Sequence, residues 1–261
     1  MPSTTQLTVA STERISAGLV RVRFRSDDLS AFAGSTDSDR YVKLVFDRGE
    51  GPVLRTYTAL EPDVEAGTVA IDFVVHGYDG VAGPWAAQAG PGETLSARGP
   101  GGGYAPDRSA DWHLLVGDES ALPAIGAAVR ALPTDAVGYV VVEVPGREHQ
   151  IDLGAPAGMD VVWVFGADDE AGAQLAAKHP SGQDRALVDA VRALPWRSGR
   201  VHAFVHGEAG AVMHGVRPYL LKERGVPRAD ASISGYWRRG RSEESFRVWK
   251  SQLATAESAA G

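Results

Sequence analysis

Along the first hundred residues, apolar and polar side chains alternate in short runs. LVRVRF at 19–24, RYVKLVF at 40–46, VLRTYTAL at 53–60 and TVAIDFVVH at 68–76 each carry the period of two that turns one face of a strand toward a core. A helical stretch, GVAGPWAAQA at 80–89, interrupts them, and ETLSARGP at 93–100 reads as the last strand. Short strands separated by Gly, Asp and Pro turns predict a small antiparallel barrel or sandwich. Past GGGYAPDRSAD the pattern changes. The runs WHLLVG at 112–117, VGYVVVEV at 137–144, MDVVWVFG at 159–166, VHAFVHG at 201–207 and ASISGYW at 231–237 are nearly continuous in apolar residues. Helical patterns at about 121–132, 183–194, 209–224 and 242–257 separate or follow them, as parallel βαβ units require. Such unbroken strands imply a sheet covered on both faces. The expected organisation is therefore a β unit over residues 1–108 followed by an α/β unit over 109–261.

Composition supports two folded units and narrows the chemistry. The chain has 261 residues, 44% hydrophobic and 23% charged, ordinary values for a globular protein. A formal charge of -7, with Lys and Arg dispersed, argues against nucleic acid as a partner. No run approaches the roughly 20 apolar residues that cross a bilayer, and the start lacks the pattern of a signal peptide, so a cytoplasmic location is expected. There is no cysteine. Disulfides, thiolate catalysis and Cys-held metal centres are thereby excluded, and redox chemistry would need a bound organic cofactor. His202 and His206 fall about 13 Å apart on one strand, too far to share a metal, and no metal site is expected.

Two segments carry candidate chemistry in the β unit. In Arg55-Thr56-Tyr57-Thr58, alternation sends Arg55 and Tyr57 to one face and Thr56 and Thr58 to the other. A guanidinium can grip a diphosphate, a phenol can lie against a flat ring system, and a Thr can donate to a ring nitrogen. Taken alone, such a tetrapeptide also fits a plain half-buried strand. The second segment runs from Asp72 through Phe73, Val74 and His76 to Gly80-Val81-Ala82-Gly83-Pro84-Trp85. A strand there ends in a Gly turn and a helix starts near Pro84, leaving backbone N–H groups for an anion.

These pieces, with RYVKLVF, GPGGGY, GDESALP at 117–123 and YWRRG at 236–240, occur in the order found in the siderophore-interacting family of FAD-binding reductases, within the ferredoxin-reductase-like group, which the chain resembles from about residue 40 to 250. The resemblance implies a flavin-binding antiparallel barrel followed by a parallel-sheet α/β domain that receives NADPH or NADH. It implies flavin contacts at Arg55, Thr56, Tyr57, Thr58, Asp72, Phe73, Val74, His76 and from Gly80 to Trp85. Asp118, Glu119, Ser120 and Ala121, together with Tyr236 and Trp237, would face the cofactors from the second domain. The loop lacks the G-x-G-x-x-G fingerprint, and Asp118 and Ser120 serve equally well as helix caps. Lys43, Arg239 and Arg247, with Lys250 beside them, are the candidates for binding an anionic ferric siderophore. Glu143, His206 and Glu208 are expected to be solvated strand ends.

The implied reaction passes a hydride from NAD(P)H to FAD and single electrons from the flavin to Fe(III) in the siderophore, releasing iron as Fe(II). No protein side chain need act as an acid, base or nucleophile. Ferredoxin stays open as donor, and a monomer is expected. Two other readings share these motifs: a general NAD(P)H–flavin or ferredoxin-type reductase with another acceptor, and a non-catalytic ferric-siderophore-binding protein on the same fold.

Overall fold

The computed structural model describes residues 4–47, 49, 51–75, 80–166 and 185–241. Its first seven strands form one antiparallel sheet, β1 (Thr4–Arg14), β2 (Leu19–Arg25), β3 (Tyr41–Asp47), β4 (Pro52–Thr58), β5 (Leu60–Asp63), β6 (Thr68–Val74) and β7 (Thr94–Gly101). Their spatial order is β4-β3-β7-β1-β2-β6-β5. The sheet curls into a half-barrel, which brings Tyr57 of β4 against Phe73 of β6, with ring centroids 4.5 Å apart. Alternation decides the interior: Val20, Val22 and Phe24, Val42, Leu44 and Phe46, and Val69, Ile71 and Phe73 all enter one core. A short helix, α1 (Ala82–Ala86), plugs the open side with Trp85, whose ring lies 6.3, 5.7 and 5.6 Å from those of Phe24, Phe46 and Phe73.

Two details depart from the sequence reading. β1 was not anticipated, because Leu7 and Val9 are the only apolar residues on its buried face, the third buried position, Thr5, is polar, and most of the rest of the strand is exposed. The run at 53–60 is two strands, since the chain passes from β4 to β5 on the opposite edge of the sheet between Thr58 and Leu60.

The second sheet holds β8 (Trp112–Asp118), β9 (Val137–Val144), β10 (Gly158–Phe165), β11 (Val201–Glu208) and β12 (Ala231–Trp237). All pair in parallel, in the order β10-β9-β8-β11-β12. The apolar runs divide their side chains between two cores, as expected for a sheet covered on both sides. Leu115, Val140, Val142 and Phe204 pack with helix α2 (Leu122–Ala131). Leu114, Val116, Val141 and Val205 pack on the other face, against helix α3 (Ala186–Ala193) and the wide helical turns at Gly210–Val216 and Tyr219–Glu223. The helix expected at 242–257 lies outside the described residues.

The two sheets are stitched together. Leu19 and Tyr104 are buried in the α2-side core, with Val74 packed against it. Asp39 accepts from the backbone N–H groups of Gly103 and Tyr104, each at 2.9 Å, and Ala17 N–H donates to Glu148 O at 3.0 Å. The connecting stretch is pinned by Arg200, whose guanidinium meets Asp107 at 2.6 Å and Asp230 at 2.8 Å.

Beneath that pin, His113 is 3% exposed and faces His202, ring centroids 6.3 Å apart. Burial first, and the neighbouring His202 second, push the His113 imidazole down to about 4. Between pH 4 and the unfolded value of about 6.5 the unfolded chain therefore holds a proton that the folded one does not, so stability is lost as the pH is lowered through that window. The full effect amounts to ~3 kcal/mol. Urea unfolding from pH 7 to 4 should show this slope, and His113→Gln should flatten it by about one proton.

Candidate functional site

Register fixes the barrel side of the site. Val42 lies opposite Tyr57 and Leu44 opposite Arg55, so both side chains take the inward face, Tyr57 over the aromatic floor of Phe73 and Trp85. Arg55 is half-buried and donates from Nη1 to Leu54 O at 3.0 Å. Thr56 faces outward opposite Lys43, and Lys43 lies opposite Arg98 on β7, so these residues share the outer face. Arg98, exposed and basic, had no motif to mark it. Thr58 is 8% exposed opposite Tyr41.

β6 behaves differently from the sequence expectation at Asp72. Its side chain points away from Phe73, is 2% exposed and is gripped by Arg21 through two bonds, Nε to Oδ1 at 2.7 Å and Nη2 to Oδ2 at 2.8 Å. The carboxylate is thus consumed in a structural pair, and the main chain is what this position offers a ligand. Val74 likewise turns its side chain into the core beneath α2. His76 lies outside the described residues. Gly80 has φ +91, which suits glycine, and leads through Val81 into α1. At Gly83 the backbone passes so near β6 that a Cβ would stand 2.9 Å from Val74 O. Ala82 is buried, and Pro84 sits in the first turn, where a missing N–H costs nothing.

The second side is the carboxyl edge of the parallel sheet, between β8 and β11, where the strand order reverses. Crevices of open α/β sheets lie at such points. Asp118 ends β8 here. Its Oδ1 accepts from Ser120 N–H at 2.9 Å and Ser120 Oγ at 2.5 Å, which caps the turn before α2. Its Oδ2 accepts from Glu208 N–H and from the Trp237 indole N–H, both at 2.7 Å. Burial pushes the carboxyl up against the pull of those donors. Gly117 is needed beside it, because a Cβ would meet His206 O at 2.5 Å.

Glu119 faces inward. Its Oε1 lies 2.6 Å from His149 Nδ1, beside Gly18 of the barrel, where a Cβ would overlap the pair. Ala121 is fully buried. Glu208 and His206, expected to be solvated, are 6% and 5% exposed. Glu208 accepts from Ala211 N–H at 2.9 Å and from Arg239 N–H at 3.1 Å, and His206 Nε2 lies 3.0 Å from Ser232 Oγ. The turn that directly follows β11 covers Glu208, and β12 covers His206 through Ser232 and Tyr236. Tyr236 meets His206 edge-on at 4.9 Å, and burial pushes its phenol up. Trp237 is 38% exposed with the Arg239 guanidinium 5.6 Å from its ring centre. Arg247 and Lys250 lie outside the described residues.

The family model described as siderophore-interacting FAD-binding domain matches residues 46–104, and the one described as siderophore-interacting protein matches 110–240. The chain belongs to the siderophore-interacting protein family. An uncharacterised protein of Mycobacterium tuberculosis is 45% identical across 95% of both chains. Ferric vibriobactin reductase ViuB of Vibrio cholerae is 34% identical over 75% of this chain and 68% of its own. The crystal structure of the siderophore-interacting protein SipS from Aeromonas hydrophila superposes with a TM-score of 0.80 at 27% identity, covering 97% of this chain and 99% of that one. The two-domain architecture is that of ferredoxin reductases: the reductase of carbazole 1,9a-dioxygenase matches with a TM-score of 0.66 at 16% identity, over 90% of this chain and 69% of its own, a likeness of fold alone. In this siderophore-interacting chain the Arg55–Thr58 strand and the α1 start fall within the FAD-binding match, and Asp118 and Trp237 within the other.

Structural and ligand-facing roles can be separated by stability. Asp72→Ala leaves Arg21 without its partner and should cost about 3 kcal/mol in urea unfolding, whereas Thr56→Ala, on the exposed face, should stay within about 0.5 kcal/mol. Gly117→Ala should cost about 1–3 kcal/mol through the forced clash with the β11 backbone.

Proposed function

We propose that the protein is an FAD-dependent ferric-siderophore reductase with a nicotinamide nucleotide as donor, its barrel and α/β domains divided near residue 108. The observation that carries the proposal is the pairing of Arg55 and Tyr57, on one face of an edge strand, with the α1 start across the half-barrel. These residues fit FAD by their chemistry. Arg55 supplies a guanidinium for the diphosphate, and Ala82 and Gly83 supply N–H groups that the first turn of a helix leaves unpaired. Tyr57 supplies a ring surface already supported from beneath by Phe73. Thr58 and the main chain of Asp72 and Val74 would line the flavin edge.

FAD, when bound, converts the two electrons of a nicotinamide hydride into single electrons that reduce ferric centres to ferrous ones. The polypeptide binds, orients and shields. The edge formed by Asp118, Ser120 and Trp237 is the proposed place for the nicotinamide. With Glu119 turned onto His149, that edge presents one negative charge fewer to an incoming phosphate. Lys43 and Arg239, with Arg247, are proposed to draw an anionic ferric chelate to a protein whose net charge is -7. Among the described residues no helix is long and apolar enough to cross a membrane, which fits the proposed cytoplasmic setting.

The test is anaerobic spectroscopy on the purified protein loaded with FAD. The flavin absorbance should bleach with NADPH or NADH and return on addition of a ferric siderophore. A protein that neither holds FAD nor bleaches with either donor is not this enzyme. Lys43→Gln and Arg239→Gln should each raise KM for an anionic ferric chelate about tenfold, the worth of a charge-assisted hydrogen bond, and leave a neutral dye unaffected. Equal losses on both acceptors would favour a general flavin reductase.

A further inference from the structure

Asp118 does more than cap a helix. Helix capping requires one oxygen, and Ser120 takes Oδ1. The other oxygen spans the reversal point of the sheet, accepting from the β11 backbone at Glu208 and from the indole of Trp237, the last residue of β12. The surroundings are shaped for this carboxylate. Gly207, at φ +146, would carry a Cβ 2.8 Å from Oδ2, so glycine admits the side chain where any other residue would displace it. Every partner is a donor, which suits an acceptor-only ionised group. Trp237, though 38% exposed, is thereby held by a bond to a half-buried anchor. Its ring in turn carries the Arg239 guanidinium at 5.6 Å, while the Arg239 backbone N–H is fixed by Glu208. One half-buried carboxylate and its neighbour on β11 thus hold an exposed aromatic residue and the cation above it.

We infer that Asp118 is a positioning residue, which holds the Trp237 indole and, through its ring, the Arg239 guanidinium at the pocket for the anionic ferric substrate. The inference rests on the reductase reading for the identity of that substrate, though not for the existence of the link. Its consequence is that a residue on the donor side of the sheet sets affinity on the acceptor side.

Two readouts test it. In protein labelled with 15N at its tryptophans, the Trp237 indole signal is identified as the one lost in Trp237→Phe. Asp118→Asn keeps the shape, but with its one carbonyl oxygen on the Ser120 cap it turns an NH2 toward Glu208 N–H and the indole and accepts from neither, so that signal should move toward the position of a solvent-bonded indole. Kinetically, Asp118→Asn should raise KM for the anionic chelate about two- to fivefold more than it raises KM for a neutral dye, the worth of an exposed cation–π contact. Combined with Arg239→Gln it should add nothing further. An unmoved indole signal, or effects of Asp118→Asn and Arg239→Gln that multiply in full, would overturn the inference. Should Asp118→Asn not fold, Trp237→Phe, which removes only the donor N–H and part of the ring, must show the same rise in KM and the same lack of additivity. If wild-type protein reduces no chelate, the reductase reading fails by itself, and the indole shift still decides whether the link exists.

Discussion

Leu19 and Val74 face each other across β2 and β6, and both turn outward from the barrel into the core beneath α2. Their neighbours in register, Val20 and Phe73, turn inward to the barrel core. One end of this antiparallel pair is therefore apolar on both faces, which ties the half-barrel to the parallel sheet by burial and not by the linker alone. The next pair, Arg21 and Asp72, continues the outer face as an ion pair, sealing the edge of the apolar contact. Everything in the candidate site follows from this docking, because the Tyr57 strand and the Asp118 edge belong to different sheets and have a joint function only if their relative position is fixed.

The docking also explains which parts of the architecture could be read from the sequence. Period-two alternation is local, so β2, β3, β6 and β7 show in the residues themselves, as the five parallel strands do through their unbroken apolar runs. β1 does not, because a strand whose exposed face is long and whose buried face rests on Leu7 and Val9 has too few apolar positions to make a pattern. The break between β4 and β5 is equally silent, since the chain stays buried through Thr58, Ala59 and Leu60 and only pairing to different partners separates the two strands.

The site residues divide in the same way. Arg55 and Tyr57 share a face as alternation requires, and the Gly83–Trp85 helix start is where the Gly and Pro signals put it. What alternation cannot reveal is a partner distant in the chain. Asp72 is taken up by Arg21, 51 residues away, Glu119 by His149, 30 residues away, and Asp118 by Trp237, 119 residues away. Each looked in sequence like a polar group presented to a ligand, and each is spent within the protein. Glu208 and His206 show the converse: their own strand run does not signal burial, which the turn after β11 imposes on Glu208 and β12 on His206. The polar residues that stay presented, Lys43, Thr56 and Arg98, are those at exposed positions of strands.

The central claim is that FAD is held between the inward face of β4 and the α1 start, beside the edge of the second sheet at Asp118. Backbone hydrogen exchange, compared with and without FAD, measures it directly. The account predicts added protection at 55–58, 72–75 and 81–86, with a smaller gain at 118–121. Protection confined to one sheet's far side, or none at the Arg55–Thr58 strand despite bound flavin, would contradict it.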